Sequence, residues 1–384
     1  MRYHFDQLEY LYIHWPFCPY KCHFCDFVAM ASHEQFMKDY HQSLCNEIHL
    51  FHKEHKRFTN TLKTIYMGGG TPSTYPAHLL LDMFDTLKEY YHFDHTTEVT
   101  IEVNPGTLTE GLLQVWKKVG INRLSIGVQS LKDQVLKSLN RHQTVKDVHN
   151  LLNEASVYFD NISVDFILGL PGISDDEWKA MIQEAMTWPI KHISIYFLMV
   201  HEDTPLYFKV KSNKVSLPPD DAMVDLYDWT VDILSAHGFK RYELSNFARA
   251  GYESRHNQAY WDRKSYKGFG LGACSFNGKA RFQNDKNLGK YIDNITQGKA
   301  SVMMSEELTG QQVAREKIML GLRCHKGLDV IEYTKTISEK EKRVFLDEVE
   351  KLQQAKLIDY TENKVRLTPR GFALENEVAI RLFP

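Results

Sequence analysis

The chain has 384 residues, 43% of them hydrophobic and 25% charged. These are the proportions of a globular protein with a sizeable core, not of a disordered, collagen-like or coiled-coil chain. Forty-six Lys and Arg against 49 Asp and Glu give a formal charge of −3, so no net field draws the chain to nucleic acid or anionic lipid. The opening MRYHFDQLEY lacks the apolar stretch of a signal peptide, and no run approaches the ~18 apolar residues of a membrane span. A cytoplasmic location is expected.

In chain order, short β-branched and aromatic runs mark the first half: YLYIH (10–14), TIYM (64–67), EVTIEV (98–103), RLSIGV (123–128), ISVDFIL (162–168) and HISIYFLMV (192–200). Their near-continuous apolar character predicts strands buried on both faces, as in a parallel sheet. Helical spacing is expected between them over 33–58, 76–90, 109–119, 144–158, 175–187 and 220–236. Pro76 stands at a first-turn position, and Gly120 and Gly238 stand where helices end. Six alternations define an α/β fold, a (βα)6 curved sheet or partial barrel, two units short of a closed one. The rest of the chain then has to cover the open side.

Residues 239–300 are rich in Gly, Asn, Tyr and Arg with weak periodicity, which predicts a loop-dominated, functional connection. Beyond it, a helix (306–324), a helix (338–356), a strand at KVRL (364–367) and a last helix after PRG predict a helical, winged-helix-like module. Nine Lys and Arg balance nine Asp and Glu over 338–384, which favours a structural or partner-contact role over nucleic-acid binding.

Three of the six cysteines, Cys18, Cys22 and Cys25, fall within eight residues, directly after the first predicted strand. A tight odd cluster suits a metal site in a reduced compartment better than a disulfide framework. Zinc would need a fourth ligand from His14, His23 or Asp26, and the spacing is unusual for it. A [4Fe–4S] cluster fits better: three thiolates hold three irons and leave the fourth open to a cofactor's amine and carboxylate. The second strand runs into Gly68-Gly69-Gly70-Thr71-Pro72, which allows close backbone approach but lacks the Lys of a phosphate loop. Polar residues end the later strands: Glu102 and Asn104, Gly127 and Gln129, and Asp165 ahead of GLPG. Buried polar groups are costly unless paired, so several at matching strand ends read as one site. Cys45, inside a predicted helix, reads as core packing, while Cys274 and Cys324 have no assigned role.

Along nearly the whole chain stand, in order, YIHWPFC (12–18), CHFCDF (22–27), GGGTPS (68–73), EVNPG (102–106), RLSIGVQS (123–130), DFILGLPG (165–172), YELSNFA (242–248) and HNQAYW (256–261). This series resembles the radical S-adenosylmethionine (SAM) superfamily and, within it, the HemN/HemW group. The resemblance implies a partial (βα)6 radical-SAM barrel over 1–238. It also implies a connecting region over 239–305 with an HNxxYW haem-binding motif, and a HemN-type C-terminal domain over 306–384. Cys18, Cys22 and Cys25 would ligate a [4Fe–4S] cluster with SAM at its open iron. Tyr12, Phe24, Gly70, Thr71, Glu102, Gln129, Arg141 and Asp165 would line the SAM region. In this superfamily the reduced cluster gives an electron to the sulfonium of SAM, yielding methionine and a 5′-deoxyadenosyl radical, while the protein positions the cofactor and excludes water.

Two branches of the group differ at readable positions. The HemN branch, an oxygen-independent coproporphyrinogen III oxidase, carries a fourth cysteine two positions after the third and a longer N-terminal segment. Here Phe27 takes that position and only eleven residues precede Tyr12. Both departures favour the HemW branch, for which the resemblance implies a haem chaperone serving a respiratory-chain apoprotein. Membrane association through that partner and a homodimer are compatible with it. From the residues alone a His among aromatics reads as structural; the resemblance marks His256 as the haem ligand. The rival readings are the decarboxylase and a non-catalytic zinc-binding structural protein.

Overall fold

The six apolar runs form six strands of one sheet in the computed structural model, which describes residues 4–55, 58 and 60–383. These are β1 (Tyr10–Trp15), β2 (Thr64–Gly69), β3 (Glu98–Val103), β4 (Arg123–Gln129), β5 (Asn161–Leu168) and β6 (His192–Phe197), parallel and adjacent in sequence order. Helices α1 (Met37–Glu54), α2 (Ala77–Tyr90), α3 (Leu112–Val119), α4 (Val145–Tyr158) and α5 (Asp175–Ala185) connect them, and α6 (Asp220–Ala236) follows β6. The result is the open (βα)6 barrel expected. The helix expected over 33–58 is shorter, starting after a 3₁₀ turn at Glu34–Phe36 and ending at Glu54; residues 56 and 57 of that span lie outside the described residues.

The strands are largely buried on both faces, as expected, but the two faces differ in chemistry. Leu11, Ile13, Ile65, Met67, Val99, Ile101, Leu124, Ile126, Ile162, Val164, Ile193 and Ile195 are buried in the principal core with the helices. The alternate residues line the lumen and are polar. Register pairs Tyr12 with Tyr66, Glu102 with Ser125, Ser125 with Ser163, Gly127 with Asp165 and Asp165 with Ser194. Period-2 alternation thus gives an apolar outer face and a hydrogen-bonding inner one.

Residues 239–300 differ from the loop-dominated connection expected of them. β7 (Asn246–Ala248) adds antiparallel to β6 and β8 (Lys267–Phe269) adds parallel to β1, so the segment extends both edges of the sheet. Three-residue strands are too short to show a period, which is why the sequence does not announce them. Between them α7 (Arg255–Trp261) sits at the N-terminal end of the barrel. Its Ser254 cap accepts from the Asn257 amide, and the Arg255 and His256 amides donate to the Glu98 carboxylate at 3.1 Å each, the favoured charge for a helix N-terminus.

Further on, Val302–Glu307 is a strand of a second, antiparallel sheet with Cys274–Phe276 and Ala280–Asn284. The helix expected from 306 therefore begins at Gly310, behind the Thr309–Gln312 capping box. Helices Gly310–Arg323 and Glu339–Gln354 pack on a small sheet of Leu328–Asp329, Lys364–Leu367 and Ile358–Thr361. This winged-helix-like unit has its own core, including Ile318, Leu322, Phe345, Leu352 and Val365.

Candidate functional site

The C-terminal ends of the barrel strands open into a cavity of about 410 Å³. Cys18, Cys22, Phe24, Cys25, Gly70, Thr71, Glu102, Gln129, Arg141 and Asp165 all line it, so ten of the twelve residues singled out in the sequence converge. The cysteine loop leaves β1 and is bracketed by a two-residue parallel pairing of Phe17–Cys18 with Met30–Ala31. Gly70 lies against that loop so closely that a Cβ there would stand 2.6 Å from the Pro16 carbonyl oxygen. The neighbouring Thr71 hydroxyl donates to Cys18 Sγ at 3.2 Å.

All six cysteines are free. Burial pushes the Cys18 thiol up to about 11, against the pull of the Thr71 hydroxyl, and raises Cys25 as well. Metal coordination deprotonates such thiols outright. The donor set fits an iron–sulfur cluster: three soft ligands on one loop, facing one cavity, with a buried cation beside them. That cation is Arg141, whose Nη1 reaches Cys22 Sγ at 3.6 Å. Its Nη2 donates to Asn104 Oδ1 at 2.9 Å and the Gly127 carbonyl at 2.5 Å, and its Nε to Gln143 Oε1 at 2.9 Å, which fixes the guanidinium in place.

At the floor, Glu102 accepts from the Tyr66 hydroxyl at 2.9 Å and the Gly69 amide at 3.1 Å. Burial pushes its carboxyl up to about 7 despite these donors and the charge of Arg123. Asp165 Oδ2 accepts from the Ser125 hydroxyl at 3.1 Å. Burial raises its pKa, opposed by the Ser194 hydroxyl and by Arg123. Arg123 is 2% exposed, and among the described residues its Nε has no hydrogen-bond partner. A register shift in β4 between Gly127 and Gln129 turns Gln129 into the cavity with φ +66°. A bulge of this kind re-aims a side chain at a strand end, in the left-handed region non-glycine residues seldom adopt. Exposed Phe27, Phe197 and Met199 form an apolar mouth.

Two predicted residues stand elsewhere. Tyr12 is half-buried in the lumen, off the cavity wall. Its hydroxyl donates to His14 Nδ1 at 3.0 Å while His14 Nε2 donates to the Val28 carbonyl at 2.8 Å. Burial takes the His14 imidazole down to about 4, consistent with that neutral tautomer. His256 is 1% exposed, on α7, beneath the floor. Its Nδ1 bonds Thr64 Oγ1 at 2.6 Å and its Nε2 bonds the Tyr260 hydroxyl at 2.7 Å. Its ring stacks on Tyr66 at 5.0 Å, and burial lowers its pKa to about 3. Asn257, its neighbour on α7, does reach the cavity.

Sequence reasoning missed Tyr66, Arg123, Ser125, Ser194, Tyr196 and Asn257, all on the cavity wall. The signal was the polar phase of each strand, with an arginine opening RLSIGV as its plainest mark.

Barrel, cysteine loop and C-terminal unit together define a radical SAM barrel joined to a HemN-type module. The sequence profile of the radical SAM superfamily matches residues 12–185, and that of the HemN C-terminal domain matches 308–374. The chain is 33% identical to a Bacillus subtilis (strain 168) protein named heme chaperone HemW, over 96% of this chain and 97% of that one. A protein of the same name from Lactococcus lactis subsp. lactis (strain IL1403) is 30% identical, over 96% and 95%. The solved structure of Escherichia coli coproporphyrinogen III oxidase (HemN), a radical SAM enzyme, superposes with a TM-score of 0.84 over 100% of this chain and 91% of that one. At 22% identity that likeness shows the fold alone. The chain belongs to the HemW family of the radical SAM superfamily, which implies a [4Fe–4S] cluster and SAM.

Proposed function

We propose that this protein is a haem chaperone of radical-SAM type, working in the cytoplasm and passing haem to a respiratory apoprotein. Cys18, Cys22 and Cys25 hold the cluster. Phe24, Gly70, Thr71, Glu102, Gln129, Arg141 and Asp165 hold SAM against it, with Tyr12 buttressing them through His14. When bound, the cluster supplies the electron that radical SAM proteins pass to the sulfonium of SAM. The protein's own part is to orient and to exclude water: Glu102 is placed to meet an ammonium, Arg141 a carboxylate, and the apolar mouth shields both. The three parts act as a barrel over 1–238, a connection over 239–305 carrying the haem motif, and a C-terminal domain over 306–384.

The observation that carries this reading is the convergence of the cysteine loop, five residues at the strand ends and Arg141 on one cavity, with Phe27 where the decarboxylase has a further cysteine. The haem assignment is supported by the names of the two relatives. For His256 to hold haem its Nε2 would have to leave Tyr260, and because the ring is only 1% exposed, α7 would have to move to admit the macrocycle.

Anaerobic reconstitution should give four irons per chain, and added haem should give a Soret band that His256→Ala weakens. One zinc per chain and no iron would make this a structural zinc protein. Absence of haem uptake, with protoporphyrinogen formed from coproporphyrinogen III, SAM and reductant, would make it the decarboxylase instead.

A further inference from the structure

On the outer side of the barrel, away from the cavity, three metal-ligating side chains converge between α1 and α2. His41 and Cys45 stand one turn apart on α1 and share its buried face, at 4% and 3% exposure. Asp82 comes from α2 and is 66% exposed at its side chain. Cys45 Sγ is 3.8 Å from His41 Nε2, which is 2.8 Å from Asp82 Oδ2. All three ligand atoms lie within 4.8 Å of one another.

We propose that His41, Cys45 and Asp82 form a binding site for a zinc-class divalent cation, with water as the fourth ligand. Tetrahedral zinc with ordinary bond lengths sets its ligand atoms about 3.3–3.7 Å apart. The sulfur–nitrogen separation of 3.8 Å is about 0.1 Å outside that range. The nitrogen–oxygen pair opens by about half an ångström once a metal replaces the proton between them, and the sulfur–oxygen pair, which lies within 4.8 Å, closes by up to about 1 Å as the exposed Asp82 side chain turns inward. The set is mixed soft and borderline, N, S and O, which favours zinc or cobalt over calcium or magnesium. Charge closes as well: thiolate and carboxylate neutralise a dication, as burial demands.

His41 also has the outer partner that metal-bound imidazoles need. Its Nδ1 lies 2.8 Å from the Tyr75 hydroxyl, and Tyr75 is itself clamped on Trp15, ring to ring at 3.8 Å. In the metal-free chain Nε2–H donates to Asp82 and Nδ1 accepts from Tyr75. On binding, the imidazole keeps one proton but carries it on Nδ1, where it donates to the Tyr75 oxygen, leaving Nε2 for the metal. The Cys45 proton goes to solvent. Burial pushes that thiol up to about 11, so affinity rises with pH and one proton is released per metal.

The test uses the full chain carrying Cys18→Ala, Cys22→Ala and Cys25→Ala, so that the cavity thiols cannot compete. Titration with cobalt(II) should give a thiolate-to-metal charge-transfer band at one equivalent, displaced by zinc. Adding Cys45→Ala should abolish the band. Asp82→Asn, and Tyr75→Phe, which keeps the stacking ring, should each weaken binding about 10-fold or more. No band, or a band that survives Cys45→Ala, overturns the proposal. If the triple variant fails to fold, zinc-edge X-ray absorption on the iron-loaded natural chain decides it. One zinc with a single sulfur neighbour and an unchanged iron count supports the site, and no zinc retained after dialysis refutes it.

Discussion

At the scale of single residues, Glu102 makes the sharpest prediction. Its carboxyl is pushed up to about 7 by burial, above the ~4.3 of a free glutamate. Below the unfolded value both states hold the proton and Glu102 is neutral to stability. Between the two values the unfolded chain gives up its proton while the folded chain keeps it, so stability falls as pH rises and levels off above about 7. The loss should be of order 3–4 kcal/mol, since each tenfold difference in proton affinity between the two states is worth about 1.4 kcal/mol. Urea denaturation of the metal-free chain at successive pH values checks this, and Glu102→Gln should flatten the dependence. An ammonium bound at Glu102 would hold the carboxylate charged and remove the slope. Legibility differed sharply among the site residues. Cys18, Cys22 and Cys25 were readable because a cluster needs one residue type at fixed spacing on one loop. Arg123 and Tyr66 were not, because they belong to strands whose apolar outer phase hides the polar inner one. Tyr12 and His256 were found as residues, but whether they line the cavity or sit beneath it depends on tertiary packing.

At the scale of elements, the loop after β2 and the cysteine loop are fitted to each other by the missing side chain of Gly70. A methyl group there would stand 2.6 Å from the Pro16 carbonyl oxygen and 2.8 Å from that of Phe17. Both contacts are with backbone, which cannot rotate aside, so Gly70→Ala must displace the strand that delivers Cys18. Overpacking of this kind costs about 1–3 kcal/mol, and iron retained after reconstitution should fall below that of the natural chain. Gly310→Ala is the matched control. It opens the first helix of the C-terminal unit with nothing within 4 Å of its missing Cβ. That exchange should stabilise by about 0.4–1 kcal/mol by restricting the unfolded chain. Thermal melts and iron counts on the two variants separate a specific effect on the cysteine loop from a general effect of replacing glycine. The six barrel strands and helices were legible from their periods and caps. β7 and β8 were not, since three residues carry no period and their pairing is decided by which sheet edge remains open.

At the scale of the whole molecule, the C-terminal unit grips the helix that carries His256. Glu316 pairs with Arg263 Nε at 3.0 Å and with Arg281 Nη1 at 2.6 Å. The Arg323 guanidinium lies over the Trp261 ring at 4.5 Å, and Lys326 pairs with Asp262. Trp261, Asp262 and Arg263 are the last residue of α7 and the two that follow it. The opposite end of α7 is tied to the barrel through Glu98 and through the bond of His256 Nδ1 to Thr64, while His256 Nε2 bonds Tyr260 within α7 itself. A helix held at both ends moves only when at least one end is released. If haem is bound through His256 Nε2, the Tyr260 bond is a direct competitor, and a protein present mostly in the closed form binds haem with an affinity reduced by the fraction open. Tyr260→Phe removes the competitor and keeps the ring that packs on Tyr266. The net worth of one such bond, about 1 kcal/mol, should appear as a several-fold tighter haem titration. Glu316→Gln acts only through the end of the helix: it should raise amide exchange across 255–263 and tighten haem binding less than Tyr260→Phe does. Haem binding unchanged in both variants, with His256→Ala also without effect, would mean that α7 is a fixed plug of the barrel and that haem is held elsewhere.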